Sequence, residues 1–300
     1  MPALSENETA YQSSLFSTER RKLRSLAYRM LGTIDDADDA LQETFLKFMG
    51  QDLKDIKSPS AWLHKTCTNV CLDTLKSAYR TRVNYTGCWL PEPITSEVLH
   101  DFADPMERRD QFSIAMMHAM DNLPPNERAA FLLAELLELN YREISDILDK
   151  PEGTCRQLVF RARHRLEKVR PNIRQKQEQR ALADRFFKAL VAGEIEALSQ
   201  LIAEDVEFWA DGGGKVSAAI NVIASSDRVT RLIAGFWRKF WSKLEYRFVE
   251  ANGETALLSI GPQGVETIIC LEVDRSVKRI FAIRNPDKLK LFALDETAMH

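Results

Sequence analysis

Hydrophobic positions recur at helical spacing along two stretches of the first 170 residues. One stretch runs over residues 17–79 and the other over residues 110–170, and in both the apolar side chains return every three or four positions. The intervening residues 80–104 keep no regular period, carry Trp89 and Leu90, and are interrupted by glycine and proline. This pattern predicts two helical domains joined by a linker that has an apolar anchor.

The period of the apolar positions changes after about residue 185. A helical stretch, ADRFFKALVAG, is followed by DVEFWA and then by a long run that alternates at a period of two, which is typical of strands. Asn252 and Gly253 separate two of these strands and favour a type I′ hairpin, because that turn needs positive φ at both central positions. The third segment is therefore predicted as an α+β domain with an antiparallel sheet.

Composition and charge restrict the class of protein. With 300 residues, 45% of them hydrophobic and 28% charged, the chain is long enough for two or three folded cores. Its formal net charge of -3 excludes a wholly basic nucleic-acid binder, so any contact with DNA must come from local patches. Its five cysteines are scattered, its first residues lack a secretory pattern, and no apolar run approaches about 18 residues. We expect a cytoplasmic protein without a membrane segment.

Residues 123–166 have the pattern of a helix-turn-helix. Asn140 and Glu143 form a capping box that opens a short helix, and a second helix begins after Pro151. The buried face of this second helix is expected to consist of Cys155, Val159, Ala162 and Leu166. Residues 150–180 contain ten Lys or Arg and three Glu. Such a charge run alone favours a solvated helix, whereas the helix-turn-helix beneath it favours DNA binding.

The segments LPPNERAAFLL, YREISDIL and EGTCRQLVFRARHRL resemble the C-terminal promoter-reading domain of sigma factors, which reads the minus-thirty-five element. Arg156 and Gln157 lie near the N-terminus of the second helix and are expected to reach base edges, whereas Arg163 and Arg165 are expected to contact phosphates. The DNA-binding set predicted on this helix is Arg156, Gln157, Phe160, Arg161, Arg163 and Arg165.

A second resemblance lies in LAYRMLGTIDDADDALQETFLKFM, which is similar to the sigma-factor helix that docks on the clamp helices of RNA polymerase. Its polar stripe lies opposite Leu41, Phe45 and Phe48, so the helix can bury one side and offer the other to a partner. The polymerase-binding residues that this implies are Asp35, Asp38, Asp39, Gln42 and Glu43. A merely solvated acidic face is the alternative.

The segment PSAWLHKTCTNVCLDTLKSAYR resembles the sigma helix pair that grips the minus-ten element. A protein that traps melted DNA needs polar, aromatic and basic side chains together, because it must hold an unstacked base and neutralise phosphates. The candidates are Lys65, Asn69, Lys76, Tyr79, Arg80 and Arg82. Trp62 and Leu63 are expected in the core instead, since such a pair at the start of a helix usually buries its apolar area.

The segment from about Arg180 to Phe292 resembles the SnoaL-like cone fold, whose relatives include polyketide cyclases and ketosteroid-isomerase-like enzymes. The motifs WLPEP, DGGGK and NPDKL look like those of sigma factors that carry this domain. They imply an interdomain regulatory contact made by Trp89, Leu90, Pro91, Asp211, Gly212, Gly213, Lys215, Asn285, Pro286 and Asp287. Trp89 folded back on the first domain is the alternative.

Together these motifs identify the chain as a member of the extracytoplasmic-function sigma factors with a C-terminal SnoaL-like domain. The expected fold is multidomain, with two all-α domains and an α+β cone. Its expected limits are 10–83 for core polymerase and minus-ten binding, 84–107 for the linker, 108–172 for the helix-turn-helix, and 178–295 for the SnoaL-like domain. The implied partners are core RNA polymerase and promoter DNA, and the free form is expected to be a monomer.

The alternative function is a SnoaL-like small-molecule enzyme or ligand-binding domain fused to a DNA-binding leader. An enzyme needs a positioned acid or base in the cone. The candidates are Asp205, Glu207, Asp211, Tyr246 and Asp274. No histidine lies between His164 and His300, which weakens catalysis without excluding carboxylate chemistry. His64, Cys67 and Cys71 lack a fourth metal ligand nearby. We therefore assign no catalytic residue, no cofactor and no metal.

Overall fold

The structure is a computed structural model that describes residues 6–82, 85–102, 113–167, 169 and 176–293. The chain divides into two compact units. The first unit comprises residues 1–81, 100–107 and 119–168, and the second comprises residues 82–99, 108–118 and 169–300. No helix within the described ranges is both long and apolar enough to cross a membrane.

Eight α-helices lie in the described part of the chain before residue 170. They are α1 (Glu6–Leu31), α2 (Ile34–Met49), α3 (Pro59–Arg82), α4 (Ser96–Phe102), α5 (Ile114–Asp121), α6 (Pro125–Glu135), α7 (Tyr141–Leu148) and α8 (Glu152–Leu166). Gly32, with φ of 84°, separates α1 from α2, and Thr33 caps α2 by accepting a hydrogen bond from the Asp36 backbone N–H. Leu63 is fully buried, as predicted, whereas Trp62 is only partly buried and packs its ring 5.5 Å from that of Phe48.

The predicted capping box forms at the start of α7. The Asn140 side chain accepts hydrogen bonds from the backbone N–H groups of Arg142 and Glu143, and the Glu143 carboxylate accepts one from the Asn140 N–H. Asp149 ends α7 in the left-handed conformation, with φ of 50°. The four residues predicted for the inner face of α8 are all buried, so the other face is free to meet a partner.

The second unit is built around a six-stranded sheet. Its elements are α9 (Lys176–Ala192), α10 (Ile195–Leu201), β1 (Ile202–Asp211), β2 (Ile223–Ala224), α11 (Ser226–Lys239), β3 (Glu245–Ala251), β4 (Glu254–Gly261), β5 (Gly264–Val273) and β6 (Val277–Ile283). The strand order is β2-β1-β6-β5-β4-β3. The prediction of an antiparallel sheet is wrong for one pair of strands. β6 runs parallel to β1, whereas the other neighbouring strands are antiparallel. The long β1–β3 connection, which contains β2 and α11, makes this possible by starting β3 at the far edge of the sheet.

The hairpin predicted at Asn252 and Gly253 is confirmed. Both residues have positive φ, 54° and 81°, and Ala251 pairs with Glu254 across the turn. Apolar side chains on one face of the sheet pack against α9 and α11. The other face packs against Leu90 of the linker and the first turn of α5, so the linker contributes to the core of this unit.

Candidate nucleic-acid interface and connector site

The outer face of α8 carries the residues predicted to read DNA bases. Arg156 and Gln157 are exposed, and Phe160 exposes 71% of its surface. The Arg156 guanidinium lies 5.1 Å from the centre of the Tyr141 ring, at the first residue of α7. This cation–π contact orients the side chain before any ligand binds.

Three other arginines of α8 have acidic partners on α6 that the sequence reasoning missed. Arg163 lies 2.7 Å from Glu135, whereas Arg161 and Arg165 lie 3.3 and 3.6 Å from the buried carboxylate of Glu127. Because the arginine ends of these pairs are about half exposed, each pair contributes only about 0–1 kcal/mol. These arginines therefore tie α8 to α6 in the free protein, and phosphates can compete for them.

The basic residues predicted on α3 are only partly placed by the structure. Lys65 donates hydrogen bonds to the Asp146 carbonyl, at 2.6 Å, and to the Asp149 carboxylate, at 3.0 Å, so within the first unit it caps the C-terminal end of α7. Asn69 is exposed, and Lys76 is exposed beside Asp73 at 2.8 Å. The side chains of Tyr79, Arg80 and Arg82 lie outside the described residues.

The acidic stripe of α2 divides into two parts. Asp35, Asp39, Gln42 and Glu43 are exposed. Asp38 instead accepts two hydrogen bonds from Arg24, at 2.5 and 2.8 Å, and the guanidinium also lies 4.6 Å from the centre of the Phe102 ring. The hydrogen bond from Arg24 to Asp38 is the main reason that the pKa of Arg24 is raised. Asp38 therefore holds α2 against α1, and the exposed residues remain as the polymerase-binding candidates.

The linker motif and the two C-terminal motifs meet in the second unit, at a site that we call the connector anchor: Tyr85, Trp89, Leu90, Asp211, Gly213, Asn285 and Lys288. Leu90 is fully buried among apolar residues of the sheet. Its backbone N–H donates to Asp211 at 3.0 Å, and its carbonyl accepts from the ammonium of Lys288. Both polar groups of the Leu90 backbone are thus satisfied by side chains.

Asp211 is the centre of the connector anchor. Its fully buried carboxylate accepts hydrogen bonds from four donors: the Tyr85 hydroxyl at 2.5 Å, the Lys288 ammonium at 2.7 Å, the Gly213 N–H at 2.9 Å and the Leu90 N–H at 3.0 Å. Burial, followed by the bond to Asp211, raises the pKa of Tyr85, which keeps its hydroxyl protonated as a donor.

Lys288 and Asn285 complete the anchor from the C-terminal motif. The Lys288 ammonium, in a side chain that is almost fully buried, lies 4.3 Å from the centre of the Trp89 ring. The Asn285 amide donates to the Tyr85 hydroxyl at 3.1 Å. Gly213 has φ of 62°, and a Cβ there would lie 2.4 Å from the Asn285 amide nitrogen, so a larger residue would push the two loops apart.

The remaining predicted residues lie around the anchor. Pro91 is buried, and a Cβ on Gly212 would approach the Val216 carbonyl to 2.4 Å. Lys215 and Asp287 form an exposed ion pair at 2.5 Å, and the hydrogen bond from Lys215 lowers the pKa of Asp287. Pro286 is exposed beside them.

A second contact fixes the linker further along the chain. Ile94 and Asn252 exchange two hydrogen bonds of 2.9 Å, one to the Asn252 side chain and one from its backbone, and Thr95 bridges to Ala251 at the end of β3. Tyr85, Lys288 and Asn252 were not chosen from the sequence as site residues. The turn chemistry of Asn252 was visible, but its contact with residue 94 had no local signal.

The candidates for catalysis have separate partners. Asp205 pairs with Lys278, Glu207 pairs with Arg279, and Asp211 belongs to the connector anchor. The Tyr246 hydroxyl donates to the Trp241 carbonyl, and Asp274 is exposed in the turn before β6. Within the described ranges no group of three His, Cys, Asp or Glu side chains is arranged to hold a metal.

Known families and structures are similar to this chain along most of its length. The family models named Sigma-70 region 2 and Sigma-70, region 4 match residues 15–81 and 113–166. The ECF RNA polymerase sigma factor SigJ of Mycobacterium tuberculosis is 32% identical over 291 residues, which cover 92% of each chain. The probable ECF sigma factor SigI of the same species is 27% identical over 282 residues, covering 92% of this chain and 94% of SigI.

The crystal structure of the M. tuberculosis SigJ protein aligns with a TM-score of 0.72 at 29% identity, and the alignment covers 92% of this chain and 98% of that one. The fold described above, with helical units followed by helices and a sheet, is therefore shared with a solved extracytoplasmic function sigma factor. Since one relative exceeds 30% identity over nearly all of both sequences, this chain belongs to the extracytoplasmic-function (ECF) sigma factors of RNA polymerase.

Proposed function

We propose that the chain acts in the cytoplasm, where it directs RNA polymerase to promoters by reading two short DNA elements. The exposed outer face of α8 carries this proposal. Arg156 and Gln157 lie in the first turns of a helix whose opposite face is buried, and this is the position from which a recognition helix reaches base edges in a major groove.

The other contacts follow from the exposed residues of α2 and α3. Asp35, Asp39, Gln42 and Glu43 offer an acidic and polar surface that suits a basic surface of the polymerase. Lys65, Asn69 and Lys76 of α3 suit the minus-ten element, and Lys65 must exchange its bonds at the end of α7 for DNA. A chain of net charge -3 has little long-range attraction for duplex DNA, so free protein should bind it weakly without polymerase.

The test is transcription by core polymerase reconstituted with the full chain on genomic fragments. Transcription from defined start sites is expected, and the absence of such sites would refute the proposal. Replacing Arg156 or Gln157 with alanine should relax sequence choice in the upstream element, by about 1–3 kcal/mol if the side chain forms a bidentate pair with a base. Arg163→Ala is the matched control, because removing a cation that meets a phosphate should weaken all promoters alike. A sequence-selective effect of Arg163→Ala would reverse this assignment.

We also propose that the second unit regulates the DNA-reading helices through the connector anchor. The anchored residues 85–94 stand in the chain between α3 and the helix-turn-helix, so fixing them limits how far the two can separate. The two promoter elements lie about 25 base pairs apart, or about 85 Å at 3.4 Å per base pair. Residues 83–112 would span about 100 Å if fully extended, which leaves little slack when part of them is held folded.

This regulatory proposal is tested in the same transcription assay. Removing the residues from Arg180 onward should raise promoter activity or affinity for polymerase if the second unit holds the linker closed. Trp89→Ala, which removes one ring over the Lys288 ammonium, should act in the same direction with the unit still present. Equal activity of the full-length, truncated and Trp89→Ala proteins would refute the regulation while leaving the sigma-factor function intact.

A further inference from the structure

Residues 236–248 of the second unit, FWRKFWSKLEYRF, combine aromatic and basic side chains at a density found nowhere else in the chain. Six of the thirteen are aromatic, four are basic and one is acidic. The segment runs from the last turn of α11, through a short 3-10 helix at Trp241–Lys243, into β3. We call it the aromatic–basic segment. It lies outside the helices proposed to read the promoter.

Five of the six rings of this segment, all but Phe248, form one connected cluster. Phe236 packs against Trp241 with ring centres 5.5 Å apart and against Phe240 at 6.4 Å, while Trp237 stacks on Tyr246 with an angle of 19° between the rings. The Tyr246 hydroxyl joins the two groups by donating to the Trp241 carbonyl at 2.9 Å. These five rings therefore support one another through direct contacts.

Two rings of the segment project from the surface. Phe240 exposes 57% of its area and Phe248 exposes 48%. Phe248 is also held from below by the buried ring of Phe187, at 6.2 Å. Exposed rings on a rigid base lose little conformational entropy when another flat group stacks on them. A cluster of exposed apolar side chains also marks an interaction surface.

The charge of the segment indicates what kind of group stacks there. Arg238, Lys239 and Lys243 are exposed, and none of them has an acidic partner among the described residues. Arg247 pairs with the only acid of the segment, Glu245, at 2.7 Å. On a chain with a net charge of -3, this is a local excess of unpaired positive charge beside exposed aromatic rings. Its complement is a flexible polyanion that carries aromatic groups.

We propose that the aromatic–basic segment binds single-stranded DNA. Unstacked bases lie on Phe240 and Phe248, and the phosphates meet Arg238, Lys239 and Lys243. Stacking platforms next to cations are the common design of single-strand binding surfaces, whereas a duplex keeps its base faces covered. The single strand is expected to be DNA, because a sigma factor acts at the point where polymerase separates the promoter strands.

The first experiment measures binding of the full-length chain to a fluorescent oligothymidylate of about 15 nucleotides by anisotropy at several salt concentrations. Phe240→Ala should weaken binding about fivefold or more, the low end of the effect of removing one base–aromatic stack. Replacing Lys239 and Lys243 together with glutamine should flatten the slope of log affinity against log salt by about 1.4, or about 0.7 for each phosphate that is no longer neutralised.

Two matched controls separate this site from a general loss of charge or apolar surface. Tyr11→Ala removes another exposed aromatic ring, 60% exposed on α1, and Arg275→Gln removes another exposed cation of the second unit. Both should leave the affinity and the salt slope unchanged, and circular dichroism should show that all variants are folded. Because α3 is also a candidate for binding single-stranded DNA, the contribution of the aromatic–basic segment is measured as the difference in affinity between each variant and the wild-type chain. No difference for Phe240→Ala would overturn the proposal.

A second experiment maps the contact directly. Iodouracil in the oligonucleotide should crosslink on irradiation to residues 236–248 of the wild-type chain, and crosslinks confined to other peptides would overturn the proposal. Three further ligands complete the test: the duplex of the same sequence, an oligouridylate of the same length, and vesicles with phosphatidylglycerol. The single DNA strand should bind most tightly. The assignment to DNA would be overturned if the oligouridylate bound clearly more tightly than the DNA strand. It would also be overturned if Phe240→Ala weakened binding to the vesicles but not to DNA.

Discussion

Asp211→Asn tests whether the connector anchor is held by its buried carboxylate. Asparagine has almost the same shape but presents an NH₂ group where one of the carboxylate oxygens now accepts. The wild-type oxygens accept from four donors, and one of these is the Lys288 ammonium, which is 5% exposed. The variant leaves that cation buried without a counter-charge, which typically costs about 3–5 kcal/mol. We take about 3 kcal/mol, because Lys288 keeps the Leu90 carbonyl and the Trp89 ring.

The assay for this change is hydrogen–deuterium exchange followed by mass spectrometry. A destabilisation of about 3 kcal/mol raises the equilibrium constant for opening of the linker about 150-fold, since each 1.4 kcal/mol is tenfold. The peptide over residues 85–95, which contains the bonded N–H groups of Leu90 and Ile94, should therefore exchange much faster. Peptides from α2 in the first unit serve as the internal control, and their exchange should stay unchanged.

A second variant separates the charge effect from a general disturbance. Lys288→Met removes the buried cation, so the double variant Asp211→Asn with Lys288→Met should exchange more slowly at the linker than Asp211→Asn alone, with a coupling of about 0.5–3 kcal/mol. If Asp211→Asn left linker exchange within about threefold of wild type, Asp211 would not be the anchor. A double variant as labile as the single one would show that the unpaired ammonium is not the cause.

Three other changes test local parts of the fold. Asn140→Ala removes the capping box and should lower the stability of α7 by about 1 kcal/mol, read as faster exchange of its amides, while serine at the same position should restore it. Gly213→Ala should speed linker exchange because its φ is positive and its Cβ would meet Asn285; exchange equal to wild type would contradict that packing. Burial lowers the pKa of His64 despite the neighbouring Glu19, so the folded state resists protonation there and stability is lost as the pH falls below about 6.5. His64→Gln should reduce that acid-side destabilisation in thermal unfolding, and identical pH profiles would refute the assignment.

Features that depend on neighbouring residues were predictable from the sequence. The capping box at Asn140 involves residues three positions apart, and the hairpin at Asn252 and Gly253 rests on the φ preference of two adjacent residues. The buried face of α8 followed from its helical period. In each of these cases the atoms that interact are brought together by local backbone geometry, so the sequence pattern contains the contact.

Contacts between distant segments were not predictable in this way. Tyr85 and Asp211 are 126 positions apart, and Lys288 lies 198 positions from Leu90, so no local period links them. The convergence of the three motifs was expected only because of their resemblance to a family. The parallel ladder between β1 and β6 was missed for the same reason, since strand order depends on how the long β1–β3 connection crosses the sheet. Likewise, the ion pairs from α8 to Glu127 and Glu135 depend on how two helices cross.

The composition of the connector anchor is compatible with the opening that the proposed regulation requires. Full burial of Leu90 contributes about 1.5–3 kcal/mol, whereas the buried pair of Asp211 and Lys288 adds little net stability, because desolvation offsets its attraction. The pair instead provides specificity, since either charge without the other is strongly unfavourable. An anchor worth about 3 kcal/mol keeps the linker closed about 150 to 1. A polymerase that binds the open form about 2 × 10⁴-fold more tightly would invert that ratio, which is within the range of a large protein interface. Under the proposed regulation, the same contact can therefore hold the linker closed in the free protein and still open when polymerase binds.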